Sequence, residues 1–210
     1  MIILMADIKG SSTYQAGRLM TAFRKTVAAM NGAAGKAVLS PLTITLGDEF
    51  QGVVKSPAAA LGIIFHAERL VRKQGQPFQM RFVMYEGGID TKINHKKAYE
   101  MLGPGLAAAR AALTAMKSSR HRFLVRLDNE SLTERLSLAL NVYQGIVDRW
   151  TDAQLKVAST FDQKSDYREV AKVVKRDPTV IWRRKRSLMI DEYNDIMKLA
   201  QLTAQEWKAV

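Results

Sequence analysis

Leu46-Gly47-Asp48-Glu49-Phe50-Gln51 stands between two short apolar segments and decides how the first half of the chain folds. A Gly-Asp pair between two strand-like segments is typical of a β-hairpin, and the turn places Asp48 and Glu49 at its tip. Residues 1–8 form another apolar segment, which contains Asp7 near its end. If this segment is a strand beside the hairpin, we expect Asp7 and Asp48 to share one edge of a sheet.

Carboxylates at one sheet edge are suitable ligands for a hard divalent cation such as Mg²⁺ or Mn²⁺. The spacing therefore predicts Asp7 and Asp48 as metal ligands. The same residues also have a purely structural interpretation. Gly-Asp is ordinary turn chemistry, and an aspartate that ends a strand often caps a helix. The sequence alone leaves both interpretations open.

Strand and helix patterns alternate through the first 127 residues. The order β-α-β-β-α-β, followed by one more helix and strand, is the split βαβ or ferredoxin-like arrangement. We predict an α/β (α+β) fold with a ferredoxin-like, cyclase-like domain over residues 1–127. The expected strands are 1–8, 38–46, 50–54, 78–89 and 123–127; the expected helices are 14–30, capped by Ser12 or Thr13, 57–71 and an Ala-rich segment after 105, with a turn at 75–77.

No strand pattern appears after residue 129, and apolar residues there recur at helical spacing. We predict an all-α, helix-turn-helix domain over residues 128–210. Its expected helices are 131–149, which could belong to either domain, 151–161, 166–175 and 179–202.

Composition limits the class of protein. The chain has 210 residues, of which 47% are apolar, and it has no cysteine, which excludes disulfides and cysteine metal sites. Its longest N-terminal apolar run, residues 1–6, is too short for a signal peptide or a membrane span. We therefore expect a soluble, cytoplasmic protein with no membrane partner.

Positive charge is concentrated in one region. The net charge is +12, and residues 164–187 contain nine lysines or arginines against three acids. Such a surface favours an anionic partner, with nucleic acid first. A helical bundle with a solvated basic face is the alternative explanation.

The same region has the form of a helix-turn-helix. Residues 175–178 are the expected turn, and we expect Val180 and Ile181 to hold the two helices together. The first turns of the second helix would then reach base edges, while lysines contact phosphates. The predicted contacts to double-stranded DNA are Lys164, Lys172, Lys175, Thr179, Trp182, Arg183 and Arg186.

Several motifs resemble nucleotide cyclases. Ala6-Asp7-Ile8-Lys9-Gly10-Ser11-Ser12 resembles the first metal motif of class III nucleotide cyclases. The hairpin resembles their second motif and the signature hairpin of diguanylate cyclases. With Gly103-Pro104-Gly105 before an Ala/Arg helix, residues 1–127 look most like the SatD family, bacterial proteins with a cyclase-like N-terminal domain.

This resemblance implies roles for particular residues. It assigns Asp7 and Asp48 as ligands of Mg²⁺ or Mn²⁺, and it places the backbone amides of Gly10, Ser11 and Ser12 against a nucleotide triphosphate. A helix N-terminus favours such an anion.

The late cyclase helix departs from the family pattern. It normally carries an Asn and an Arg that stabilise the transition state, whereas this chain has Leu106-Ala107-Ala108-Ala109-Arg110. The Asn is absent, and Arg110 is about one residue out of register. Loss of one such donor costs on the order of 10²-fold in rate. We therefore expect nucleotide binding with little turnover.

Three functions remain in competition. The first is a homodimeric, DNA-binding transcriptional regulator whose N-terminal domain senses a nucleotide or mediates dimerisation. The second is an active metal-dependent nucleotidyl cyclase or related phosphoryl-transfer enzyme. The third is an RNA-binding module that uses a basic sheet face.

Overall fold

The computed structural model describes residues 1–73 and 78–208, and in these ranges it contains one five-stranded sheet and eight α-helices. The turn predicted at 75–77 lies outside the described residues. The strands are β1 Ile2–Ile8, β2 Val38–Ile44, β3 Glu49–Val54, β4 Met80–Glu86 and β5 Phe123–Arg126. The helices are α1 Ala16–Ala34, α2 Pro57–Lys73, α3 Pro104–Ala115, α4 Glu130–Val147, α5 Asp152–Phe161, α6 Tyr167–Val174, α7 Pro178–Ser187 and α8 Ile190–Ala204.

The sheet has the strand order β2-β3-β1-β4-β5, with β1 in the centre. Strand β1 is antiparallel to both β3 and β4, β2 and β3 form the hairpin, and β5 is parallel to β4. All seven residues of β1 are buried, because alternate side chains enter two different apolar clusters. Burial on both faces explains why this strand has a continuous apolar sequence rather than an alternating one.

The first helix differs from its prediction at both ends. It begins after Gln15 rather than at a Ser12 or Thr13 cap, because residues 11–13 form a separate 3₁₀ turn. It also continues past Met30 to Ala34. The Asn31 side chain bonds both the N–H and the C=O of Leu42 at 2.8 Å, so Asn31 fastens the helix to β2 instead of breaking it.

The single helix predicted over residues 179–202 is wrong, since α7 and α8 are separate. Met189 between them has a left-handed backbone with φ of 55°, which ends the helical path. Its neighbours Leu188 and Ile190 are both buried. The chain turns here because both flanking side chains enter the core, a requirement that helical spacing does not reveal.

The helices after residue 128 share the core of the sheet. One apolar cluster runs from Ile2 to Ala204, with α4 against β5 and with α2 against both α5 and α8. The division into 1–127 and 128–210 stays a prediction, and no break in packing marks it. No helix in the described ranges is long and apolar enough to cross a bilayer.

A close backbone crossing fixes the start of α3. Gly105 N–H donates to the Gly88 carbonyl at 3.0 Å, and a Cβ on Gly105 would lie 2.7 Å from the carbonyl carbon of Gly87. A Cβ on Gly103 would lie 2.6 Å from the Cα of Ile89. The backbones approach so closely that only glycine fits at both positions. This close approach fixes the start of α3 beside the end of β4.

We predict that Gly105→Ala destabilises the protein by roughly 1–3 kcal/mol, the usual cost of forcing extra volume into a packed site. Gly145→Ala, at an exposed position of α4, is the matched control, since a Cβ there meets nothing within 4 Å. That control should gain about 0.5–1 kcal/mol from better helix propensity. Urea unfolding midpoints measure both changes, and stabilisation by both variants would contradict the close crossing.

Candidate functional site

The predicted sheet-edge carboxylates are brought together. In the strand register, Asp7 lies opposite Glu49 on one side and Arg81 on the other. The hairpin tip is joined to β1, because Ile8 N–H donates to the Asp48 carbonyl at 3.0 Å. Asp48 is half-buried, whereas Asp7 and Glu49 are buried.

Asp7 is engaged by an arginine. Arg81 Nη1 donates to Asp7 Oδ2 at 2.9 Å, and the Asp7 side chain is almost fully buried. Its other oxygen, Oδ1, is also buried and has no hydrogen-bond partner among the described residues. Burial raises the pKa of the Asp7 carboxyl above its usual value, while the charge of Arg81 acts in the opposite direction.

Glu49 is engaged by an arginine of α3. Arg110 Nη1 donates to Glu49 Oε1 at 2.6 Å, and Arg110 Nη2 donates to Gln51 Oε1 at 3.0 Å. This guanidinium therefore connects α3 to the hairpin strand β3. In this arrangement Arg110 serves as an ion-pair partner of the sheet edge.

The edge offers few free metal ligands. Within residues 1–73 and 78–208, no group of three His, Cys, Asp or Glu side chains is placed to hold a metal ion. The charge of Asp48 raises the pKa of the Asp7 carboxyl, whereas the charges of Arg81 and Lys117 lower it. Protein-bound Mg²⁺ usually takes one or two carboxylates together with substrate phosphates. The donor set thus fits Mg²⁺ or Mn²⁺ only if a bound ligand supplies further oxygens.

The predicted nucleotide loop is folded on itself. Gly10 has a left-handed backbone with φ of 68°, and both the N–H and the hydroxyl of Thr13 bond to its carbonyl. Ser11 and Ser12 belong to this short 3₁₀ turn and not to the N-terminus of α1, which begins at Ala16. These amides therefore lie at the start of a 3₁₀ turn and not at the start of α1, and their contact with a nucleotide stays a prediction.

The basic region consists of two short helices joined by a tight turn, and we call residues 164–187 the basic helix pair. Lys175 ends α6 with a left-handed φ of 53°. Asp177 caps α7 by accepting from the Thr179 N–H at 2.7 Å, and Pro178 takes the first helical position. The sequence analysis placed these residues in the turn and began the second helix at 179, so the structure starts that helix at Pro178.

Buried side chains hold the two helices together. Val170 of α6 and Ile181 of α7 are both fully buried. The expectation that Val180 shares this role is wrong, since Val180 is 42% exposed. Val180 precedes Ile181 by one residue and therefore projects about 100° away around the helix.

The seven residues predicted to contact DNA are all exposed. Arg186 lies over the Trp182 ring at 5.3 Å, which leaves both side chains at the surface, and Lys164 pairs with Glu169 at 3.3 Å. Two further arginines, Arg168 of α6 and Arg176 of the turn, were not selected by the sequence prediction. The seven are Lys164, Lys172, Lys175, Thr179, Trp182, Arg183 and Arg186.

Besides Arg81, two more buried arginines were missed by the sequence analysis. Arg122 is 2% exposed and donates to Glu68, Asp148 and the Met80 carbonyl. Arg72 is 9% exposed and lies between α2 and the C-terminal helices. No local pattern marks a buried arginine, because its partners are distant in the sequence.

We predict that Asp7→Ala destabilises the protein by roughly 3–5 kcal/mol, because it leaves the Arg81 charge buried without a partner. Replacing the pair by Asp7→Leu with Arg81→Met should recover most of this loss. The control is Lys97→Ala, which breaks the exposed Lys97–Glu100 pair and should cost about 0–1 kcal/mol.

Urea unfolding in metal-free buffer measures these changes. A stabilising effect of Asp7→Ala would contradict the structural ion pair and would favour a metal-ligand role for Asp7.

Comparisons with known proteins give a family and two distant structural similarities. Two structures described as a bacterial light-regulated adenylyl cyclase each match 59% of this chain at 15% identity; the TM-scores are 0.41 and 0.40, and the matches cover 73% and 42% of those chains. These values are too low to support a functional conclusion. A search of curated proteins found no match. The family model for the SatD family matches residues 1–189, which include α7. The chain therefore belongs to the SatD family.

Proposed function

We propose that this protein is a transcriptional regulator that binds double-stranded DNA through the basic helix pair, used as a helix-turn-helix. The observation that carries the proposal is the exposure of all seven predicted contact residues on two helices whose inner faces are locked by Val170 and Ile181. An excess of cations at a rigid, exposed helix pair suits a polyanionic duplex.

In this proposal α7 is the helix that reads bases. Thr179, Arg183 and Arg186 recur at i, i+4 and i+7, so they share one face of α7. Arginine binds guanine through two hydrogen bonds, and the N-terminal turns of such a helix enter the major groove. Neither Arg183 nor Arg186 forms an ion pair with a described acid.

The turn and α6 supply the phosphate contacts. Lys172, Lys175, Arg168 and Arg176 line one groove beside the turn, together with Asp177 and Pro178. Their charges would neutralise phosphates without regard to sequence. The alternative, a helical bundle with a solvated basic face, does not require base-contacting residues on one helix and phosphate-contacting residues on the other.

The N-terminal domain has a sensing or dimerising role in this proposal. The order β2-β3-β1-β4 with antiparallel pairing is what a ferredoxin-like, cyclase-like domain would have, and this supports that assignment. Arg110 and Asp7 are both held in ion pairs, which favours a domain that binds a nucleotide over an active cyclase. An RNA-binding sheet face gains no support, because β1 is buried on both sides.

For DNA binding we predict two separable effects. Lys175→Ala should weaken binding to every duplex alike and lower the salt slope by about one unit, as expected when one phosphate contact is lost. Arg183→Ala should cost roughly 1–3 kcal/mol on a selected duplex and less on a scrambled one. Fluorescence anisotropy with the full chain at several salt concentrations measures both.

Arg24→Ala is the control for Arg183→Ala. It also removes an exposed arginine, but from α1, outside the basic helix pair. It should leave the affinity unchanged. The proposal fails if the wild type shows no DNA affinity at low salt. If Arg183→Ala weakens binding to the selected and the scrambled duplex equally, the DNA binding is non-specific and electrostatic.

We also predict a homodimer on DNA, because helix-turn-helix proteins commonly pair to match two half-sites about one helical turn apart. Light scattering at micromolar concentration, with and without a duplex that contains two half-sites, measures the mass. A single chain per duplex under both conditions would contradict this prediction.

A further inference from the structure

Helices α4 and α8 expose an apolar surface that the fold of one chain does not cover. Four of their aliphatic side chains are each more than half exposed, and we call these four the α4–α8 face. They are Leu138 and Val142 of α4 and Leu199 and Leu202 of α8. A cluster of exposed aliphatic side chains usually marks a surface where another molecule binds.

Contacts between the two helices bring these side chains together. Arg135 Nη2 pairs with Glu206 Oε2 at 2.7 Å near the start of α4 and the end of α8. Toward the other ends, the rings of Tyr143 and Tyr193 lie 5.7 Å apart. The two helices are therefore antiparallel and in contact along their length.

The helical spacing places the face directly beside that ion pair. On α4, Leu138 and Val142 follow Arg135 by three and seven residues, so they lie on the side of α4 that faces α8. On α8, Leu199 and Leu202 precede Glu206 by seven and four residues, so they lie on the side that faces α4. The four side chains therefore form one continuous strip over the line where the helices meet.

The remaining exposed apolar side chains of the sheet half are different. Within the described part of residues 1–127, the large ones are Met1, Leu46 and Leu102, which lie on three separate segments. Single exposed apolar residues are normal on a protein surface. The α4–α8 face is therefore unusual in this chain because its members are adjacent.

The size of the surface suits a second copy of the chain. Helix α4 has 18 residues and is therefore about 27 Å long, and two helices side by side are about 20 Å wide. Two such surfaces in contact would bury roughly 1,000 Å² in total, close to the lower limit for a specific protein interface. A second copy also offers the same two-helix surface, so the contact closes with two-fold symmetry.

The charges at the ends of α4 also suit a second copy. Glu130 and Glu134 near its start and Arg149 after its end are exposed, and none of them forms an ion pair with a described side chain. Leu138 and Val142 are centred on position 140 of α4. A two-fold axis at that position sets Arg149 opposite Ser131 of the second copy, between the two carboxylates, when the α4 helices are antiparallel.

We propose that the α4–α8 face is the interface of a homodimer, in which the two α4 helices cross antiparallel and α4 and α8 of both copies form a four-helix arrangement. The basic helix pair takes no part in this contact. The proposal therefore does not depend on DNA binding, and its test contains no DNA.

Sedimentation velocity of the full chain over a range of micromolar concentrations tests the interface. We expect a shift from the mass of one chain to the mass of two. Leu138→Lys and Leu199→Lys should each raise the dissociation constant of the dimer by about tenfold or more, because each places a charge in the apolar centre of the contact. Lysine retains the helix propensity of leucine, so both variants should keep the wild-type circular dichroism spectrum.

Leu102→Lys is the control for these two variants. Leu102 is 73% exposed but lies outside α4 and α8, so its replacement should leave the dissociation constant unchanged. A wild type that stays a single chain up to millimolar concentration would overturn the homodimer and assign the face to a different partner. Equal dissociation constants for wild type, Leu138→Lys and Leu199→Lys would place the dimer contact elsewhere.

A charge reversal tests the antiparallel arrangement. Arg149→Glu should weaken the dimer by about threefold or more, since it sets like charges beside Glu130 and Glu134 of the second copy. Adding Glu130→Lys to Arg149→Glu should restore most of the affinity, because the pair then has its charges exchanged. An unchanged dissociation constant for Arg149→Glu, or no recovery in the double variant, would overturn this arrangement of the two copies.

Discussion

The fold depends on the fully buried guanidinium of Arg122. It donates to Glu68 of α2, to the Met80 carbonyl at the start of β4, and to Asp148 at the end of α4. A buried charge is tolerated only when its partners surround it, and removing one partner typically costs several kcal/mol. This single side chain therefore fixes α2, β4 and α4 relative to one another, just before its own strand β5 begins.

Arg72 extends the same principle to the C-terminal helices. It joins α2 to Tyr143 of α4, Asp162 after α5 and Tyr193 of α8, and its guanidinium also lies 5.7 Å from the Trp150 ring. This polar junction therefore ties α4, the end of α5 and α8 to α2.

At the sheet edge, the chain has the residues of the metal motif, but two of their carboxylates bind arginines. The resemblance assigns Asp7 and Asp48 to a metal, yet Asp7 is bound to Arg81, and Glu49 beside Asp48 is bound to Arg110. An aspartate that pairs with a cation on the adjacent strand contributes to folding, and a metal would have to compete with that cation. The hairpin motif alone therefore does not establish metal chemistry in this chain.

The sequence by itself determined the features that depend on neighbouring residues. The hairpin at Gly47-Asp48 and the two helices of the basic pair were readable, because turn chemistry and apolar periodicity act within a few residues. The start of α7 at Asp177-Pro178, which the sequence analysis placed in the turn, is also a local capping signal. The tertiary structure decided the rest: the arginine partners of Asp7 and Glu49, the break at Met189 and the glycine crossing at Gly105. Each of these depends on side chains or backbone brought together from separate elements, as when Arg72 meets Asp162 ninety residues later, and no local pattern encodes such a meeting.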